Sequence, residues 1–262
     1  VSEVWTDEAS MVVRTSGAGP RDVVWVHGLG ESSLCFDAIA AHPALAGWRH
    51  VRPDLPGYGR SRRPAVVRGL AEVAADLTAW LAARGRPAVI VGHSMGGVIA
   101  AMIAEGRPGW LRGVVNVEGN VTIGDCTFSG RAAAQEVEAF ASGGFAAMRA
   151  WVHDGGVADR ALRGYHVSMC LADAAVFHRH SAELVAWSRD GTAAARIAGC
   201  DVPTLFIAGA PGGVCDASRV ALDAAGVAVR ACAPAGHWPF VDQVEAFAAA
   251  VAAFASRLTS SP

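Results

Sequence analysis

Lysine does not occur among the 262 residues; all 22 basic side chains are arginine. Its absence excludes any mechanism built on a lysine amine, Schiff-base chemistry included. Excess charge is missing too. The formal net charge is −2, and charged residues make up 18% of the chain against 52% hydrophobic. With no basic surplus, neither nucleic acid nor an anionic membrane is expected as a partner. The six cysteines (Cys35, Cys126, Cys170, Cys200, Cys215 and Cys232) include no C-x-x-C and no close pair. That spacing fits a reduced, cytoplasmic setting. Long apolar runs are absent as well. Ala246 to Ala255 falls short of the ~20 residues that a membrane-spanning helix needs, and reads as a C-terminal helix packed on a core. The acidic opening, Val1 to Glu8, has neither the basic nor the apolar part of a secretory leader, so none is expected. His178 and His180 stand two apart, which on a helix points them to different sides. No Cys or acidic cluster completes a site around them, so no metal and no cofactor are expected.

What the chain does have is Gly92-His93-Ser94-Met95-Gly96. This G-x-S-x-G follows the apolar run Ala88 to Val91 and precedes a helix-forming run, Gly97 to Glu105. In a strand-turn-helix setting it makes a nucleophile elbow. The turn is too tight for flanking side chains, so glycines fill it and the Ser94 hydroxyl is held above the end of a strand. The helix N-terminus there offers free N–H groups and a partial positive charge to a developing oxyanion. Five residues in a glycine-rich chain are weak evidence alone, and the context must support them.

The context is present. Val23 to Val26 reads as a buried strand and ends in His27-Gly28-Leu29-Gly30, an HG-x-G segment of the kind that lines an oxyanion hole. Its Leu29 N–H would pair with that of Met95. Near the other end, His237 lies in the loop Pro234 to Pro239, between a strand-like run (Val227 to Ala231) and a final helix. Between these pieces sits the turn-rich loop Asp54 to Ser61, after the strand-like Trp48 to Arg52. Together the segments resemble the α/β-hydrolase superfamily over nearly the whole chain. The resemblance implies a serine hydrolase in which Ser94 is the nucleophile and His237 the base, with an acid between them in chain order.

The acid departs from the pattern. In the family it commonly follows the strand corresponding to Leu205–Ala208, about three residues beyond a glycine. Here that position is Gly212. Glu118, at the end of the apolar run Val114 to Val117, is the first choice, because some family members carry their acid on that strand end. Asp216, farther along the 210–216 loop, is the second, although an Asp there also suits a helix N-cap. Asp125, in the same region as Glu118, is the third.

The remaining rhythm predicts a mostly parallel sheet flanked by helices on both faces. A hairpin is expected near Val4 and Met11–Thr15, with further strands at Gly113–Val117 and Val202–Ala208. Helices are expected at Leu34–Ala41, Leu70–Arg84, Gly130–Ser142 and Ala172–Ser188. Strand signal is weak between Gly119 and Gly199, so residues 119–199 are expected to form a helical cap over a core of 1–118 and 200–262. Phe128, Trp151, Tyr165, His166, Met169, Phe177, His178 and His180 of this segment are candidates to face a pocket, though most such residues in helices are core. His93 is expected to pack under the elbow and His27 to shape the oxyanion loop through hydrogen bonds, neither with a chemical role, and Trp238 and Phe240 either to wall the pocket or to pack on the sheet.

The function implied is cleavage of an ester, lactone or thioester of a small, fairly apolar molecule through an acyl-enzyme. A Ser nucleophile disfavours the dehalogenase and epoxide hydrolase activities that use a carboxylate. C–C bond hydrolysis or a lyase activity is the alternative within enzymes. A non-catalytic ligand-binding protein on the same fold is the alternative outside them. The expected partner is a small-molecule substrate, and a homodimer is left open.

Overall fold

In the computed structural model, which describes residues 3–258, the short apolar runs become one eight-stranded sheet. The strands are β1 (Val4–Glu8), β2 (Met11–Ser16), β3 (Asp22–Val26), β4 (Arg49–Pro53), β5 (Ala88–His93), β6 (Leu111–Val117), β7 (Thr204–Pro211) and β8 (Val229–Ala235). Their order is β1-β2-β4-β3-β5-β6-β7-β8. β1 pairs antiparallel with β2, and β2 with β4. All the other neighbours are parallel. β3 and β5 are buried at every residue. This is why they read as unbroken apolar runs, since a parallel strand is covered on both faces.

Among the described residues nine helices are six or more residues long: α1 (Leu70–Ala83), α2 (Met95–Glu105), α3 (Thr127–Ala133), α4 (Phe145–Gly155), α5 (Arg160–Met169), α6 (Ala174–Arg189), α7 (Ala193–Ala198), α8 (Asp216–Ala224) and α9 (Val244–Arg257). α1 buries Leu70, Val73, Ala74, Leu77, Trp80 and Leu81, a stripe at the spacing of one helix face. The Gly69 N–H donates to Glu72 Oε2 at 2.8 Å and caps its start. α9 contains the expected C-terminal helix and buries Phe247, Val251 and Phe254. Among the described residues no helix is long and apolar enough to cross a membrane.

Five helices, α3 to α7, lie between β6 and β7. The single helix expected over Gly130–Ser142 is broken. α3 ends at Ala133, one turn covers Val137–Ala139, and a π-turn at Phe140–Gly144 leads into α4. Gly143 and Gly144 weaken the helix at that point, and a wider i→i+5 turn absorbs the irregularity.

Strand order fixes where the site falls. From β3 the chain moves outward to β4, then returns past β3 to β5. A crevice opens at such a reversal, outside the carboxyl ends of the strands. The loop after β3 and the turn after β5 therefore meet there. The ends of β6, β7 and β8 line up on the same edge.

Candidate active site

Ser94 sits at φ 52° and ψ −116° between β5 and α2. A non-glycine residue in this region costs ~1–3 kcal/mol and persists only where its surroundings enforce it. They do so here. A Cβ on Gly92 would lie 2.1 Å from the Gly96 carbonyl oxygen, and one on Gly96 would lie 2.0 Å from that of Val26. Only glycine permits this closeness. The Ser94 N–H donates to Val117 O at 2.8 Å, and the Gly97 N–H donates to Ser94 O at 2.8 Å. The backbone is thus tied on both sides. The Ser94 hydroxyl has no hydrogen-bond partner among the described residues and faces a cavity of about 30 Å³.

The HG-x-G loop forms one wall of that cavity through Gly28 and Leu29. His27 is fully buried and fixes the loop. Its Nδ1–H donates to Gly28 O at 2.9 Å, and its Nε2 accepts the Leu55 N–H at 3.0 Å. One donating and one accepting nitrogen match the neutral ring, and burial lowers its pKa below the usual histidine value. The N–H groups of Leu29 and Met95 have no acceptor among the described residues. Donors left open at a helix start suit a developing negative charge.

His237 reaches the same cavity from the loop after β8. Its Nδ1 stands 3.2 Å from Glu118 Oε2. The Glu118 side chain is fully buried, and that of His237 is 28% exposed. The second Glu118 oxygen accepts the Gly209 N–H at 2.6 Å. Glu118 lies at φ 54°, a second non-glycine residue in the left-handed region. Its carboxylate lies against Gly213, where a Cβ would be 2.2 Å from Oε1.

The other two candidate acids lie elsewhere. Asp216 is exposed in the first turn of α8 and makes no hydrogen bond to His237. Asp125 lines the cavity, but its oxygens are occupied. They accept from the N–H groups of Val121, Thr122 and Cys215 and from the Ser218 hydroxyl, at 2.6–3.2 Å. Asp125 thereby fastens the loop before α8 to the segment after β6.

Glu31 is a residue that reading the sequence missed. It is 2% exposed and joins three parts of the site. Its Oε2 accepts the Gly28 N–H at 2.6 Å and His93 Nδ1–H at 2.9 Å, while its Oε1 accepts Trp238 Nε1–H at 2.6 Å. His93 Nε2–H donates in turn to the backbone carbonyl of His237 at 2.8 Å. Both ring nitrogens of His93 face acceptors, an arrangement that favours the imidazolium. Burial alone would lower its pKa, but the Glu31 carboxylate outweighs that and raises it. Burial likewise pushes Glu31 up, and His93 with the Gly28 and Trp238 donors brings it down to about 2. No motif signals this carboxylate. The nearest hint is its place three residues beyond Gly28, the spacing at which a side chain can cap a turn.

The rest of the cavity wall comes from the insertion: Asn120, Phe128, Ser129, Tyr165 and Leu184. Of the other aromatic candidates, Trp151 is 43% exposed and stacks with Arg131. His178 Nε2–H donates to Gln135 O, whereas His180 meets Tyr58 and Arg68. The two rings do point apart. No group of three or more metal-ligating side chains occurs among the described residues. Trp238, 8% exposed, both lines the cavity and packs inward.

A largely parallel sheet with a strained serine turn at its reversal defines the α/β-hydrolase class. A family profile described as "Alpha/beta hydrolase family" matches residues 23–250, and the chain belongs to that family. It is 41% identical over 98 residues to the magnesium-chelatase 30 kDa subunit of Rhodobacter capsulatus, covering 34% of this chain and 33% of that one. It is 36% identical over 108 residues to the pimeloyl-[acyl-carrier protein] methyl ester esterase of Sodalis glossinidius, covering 41% and 40%. These matches span well under half the length of the curated relatives. Among solved structures, the enol-lactonase of Burkholderia xenovorans LB400 superposes with a TM-score of 0.74 at 20% identity, over 97% of this chain and 100% of that one. That likeness is one of fold.

Proposed function

We propose that the protein hydrolyses carboxylic esters or lactones through a covalent acyl-enzyme on Ser94. One observation carries the reading: a Ser94 hydroxyl without a partner shares a small cavity with His237, whose far nitrogen is 3.2 Å from the Glu118 carboxylate. The relative named as a methyl ester esterase supports the same class of bond.

In the first half-reaction, His237 Nε2 takes the Ser94 proton as Oγ attacks the carbonyl carbon. Glu118 accepts the Nδ1–H and stabilises the imidazolium. The N–H groups of Leu29 and Met95 hold the oxyanion. Collapse of the intermediate breaks the bond to the leaving alcohol, which receives its proton from His237. Water then attacks the acyl carbon with His237 again as base, and Ser94 regains its proton as the acid departs. Residues 119–199 act as a cap that roofs this site.

A fluorophosphonate probe and an ester and lactone panel test the reading, on wild type and Ser94→Ala. Labelling and turnover are expected in the first and not the second. Turnover that survives in Ser94→Ala, or no labelling of wild type, would overturn it.

A further inference from the structure

The cap side of the cavity is walled by polar groups that the protein itself does not satisfy. Asn120 is 5% exposed. Its Oδ1 is buried with no partner, and its Nδ2 has only a 3.7 Å contact with Cys126 Sγ. Tyr165 is 4% exposed. Its hydroxyl lies 3.0 Å from where a Cβ on Gly30 would stand, and it has no hydrogen-bond partner among the described residues. Ser129, also 4% exposed, is likewise without one. All three line the cavity that holds Ser94 and His237.

Buried polar groups are paired as a rule, and each exception calls for an explanation. Asn120 Oδ1 is such an exception, and together with the free hydroxyls of Ser129 and Tyr165 on the same cavity wall it is explained if a ligand completes it. We propose that Asn120, Ser129 and Tyr165 recognise a second polar group of the substrate, namely an O–H or N–H donor on the carbon next to the scissile carbonyl. The Asn120 Oδ1 is an acceptor, so what it lacks is a donor. All three residues line the same small cavity as Ser94, which sets that donor close to the carbonyl that Ser94 attacks. An α-hydroxy or α-acylamino ester or lactone meets both conditions. A plain hydrocarbon ester leaves the wall unpaired, which a site built for hydrogen bonding penalises. This refines the fairly apolar substrate suggested by composition.

The inference rests on the ester-hydrolase reading, and three matched esters separate the two. Methyl lactate, methyl 2-methoxypropionate and methyl propionate differ only at the α-carbon. kcat/KM for the lactate is expected to exceed that for each of the others at least tenfold, since about tenfold is lost per polar group left unpaired. The same lactate-to-propionate ratio should fall about tenfold in Asn120→Ala and in Tyr165→Phe, the latter removing one oxygen and keeping the ring. Where turnover is too slow, protection of Ser94 from the fluorophosphonate gives the same ratios. Ratios near one in wild type, or undiminished in both variants, overturn this proposal while leaving ester hydrolysis standing. A favoured methoxy compound overturns the donor assignment. No labelling of Ser94 by the probe removes the underlying reading and this one with it.

Discussion

Gly213 is the space into which the Glu118 carboxylate fits: a methyl group at 213 would come 2.2 Å from Glu118 Oε1 and 2.4 Å from Gly209 O. The loop after β7, where the family usually carries its acid, here supplies room instead of charge. Gly213→Ala is therefore expected to push Glu118 away from His237. Backbone neighbours cannot yield as a side-chain tip can, so a stability loss of ~1–3 kcal/mol should accompany a large fall in kcat. Normal kcat with an unchanged melting temperature would show that the two residues are not coupled.

Two substitutions rank the carboxylates. Glu118→Gln should lower kcat by ~10³–10⁴, the scale at which a base loses its tautomer control. Asp216→Asn, on an exposed side chain in the first turn of α8, should change it less than twofold. Steady-state kinetics on one ester checks both, and the reverse order would remove Glu118 from the mechanism.

Glu31→Gln leaves the His93 imidazolium buried without its counter-charge. Breaking a buried pair from one side costs ~3–5 kcal/mol, which denaturant unfolding at pH 7 would read. Because Glu31 also holds Gly28 and Trp238, kcat should fall more than KM rises. Unchanged stability would mean that the pair is not charged. The wild-type pH dependence follows from the signs. Glu31 is lowered to about 2 from 4.5, so its contribution is full above pH ~4.5 and is lost as pH falls towards 2. His93 is raised above 6.5, so its contribution is full below that value and is lost as pH rises through the raised pKa.

A further pH effect ties the insertion to the core. His180 of α6 accepts the Tyr58 O–H on Nδ1 at 2.8 Å and donates from Nε2 to Arg68 O at 2.9 Å. Burial lowers its pKa to about 4; nearby Glu183 opposes the shift, while His27 and Arg179 add to it. A histidine depressed on folding stabilises fully above pH ~6.5 and loses that contribution between 6.5 and 4. About 3 kcal/mol is at stake in that window. His180→Asn should flatten the stability profile from pH 6.5 to 4.5, measured by urea unfolding. An identical slope in the variant would refute the assignment.

The parts of the site that depend on local chain geometry were legible in the sequence. Gly92 to Gly96, His27 to Gly30 and the His237 loop each carry their meaning within a few residues, because a tight turn or a strand end dictates the residue types. The strands came through as apolar runs for the same reason. Glu31, Asn120 and Ser129 were not legible as site residues. Their significance lies in contacts made across the fold, and a lone Glu, Asn or Ser in a loop or short helix has no periodicity to betray it. α4 and α5 were missed because Gly143, Gly144, Gly155, Gly156 and Gly164 dilute the helical signal.

Phe128, Tyr165 and Trp238 share the cavity wall with Ser94, with ring centroids 5.0–6.2 Å apart, and the space they leave holds a water or two. A ligand larger than that space has to turn at least one of these three rings aside to reach Ser94.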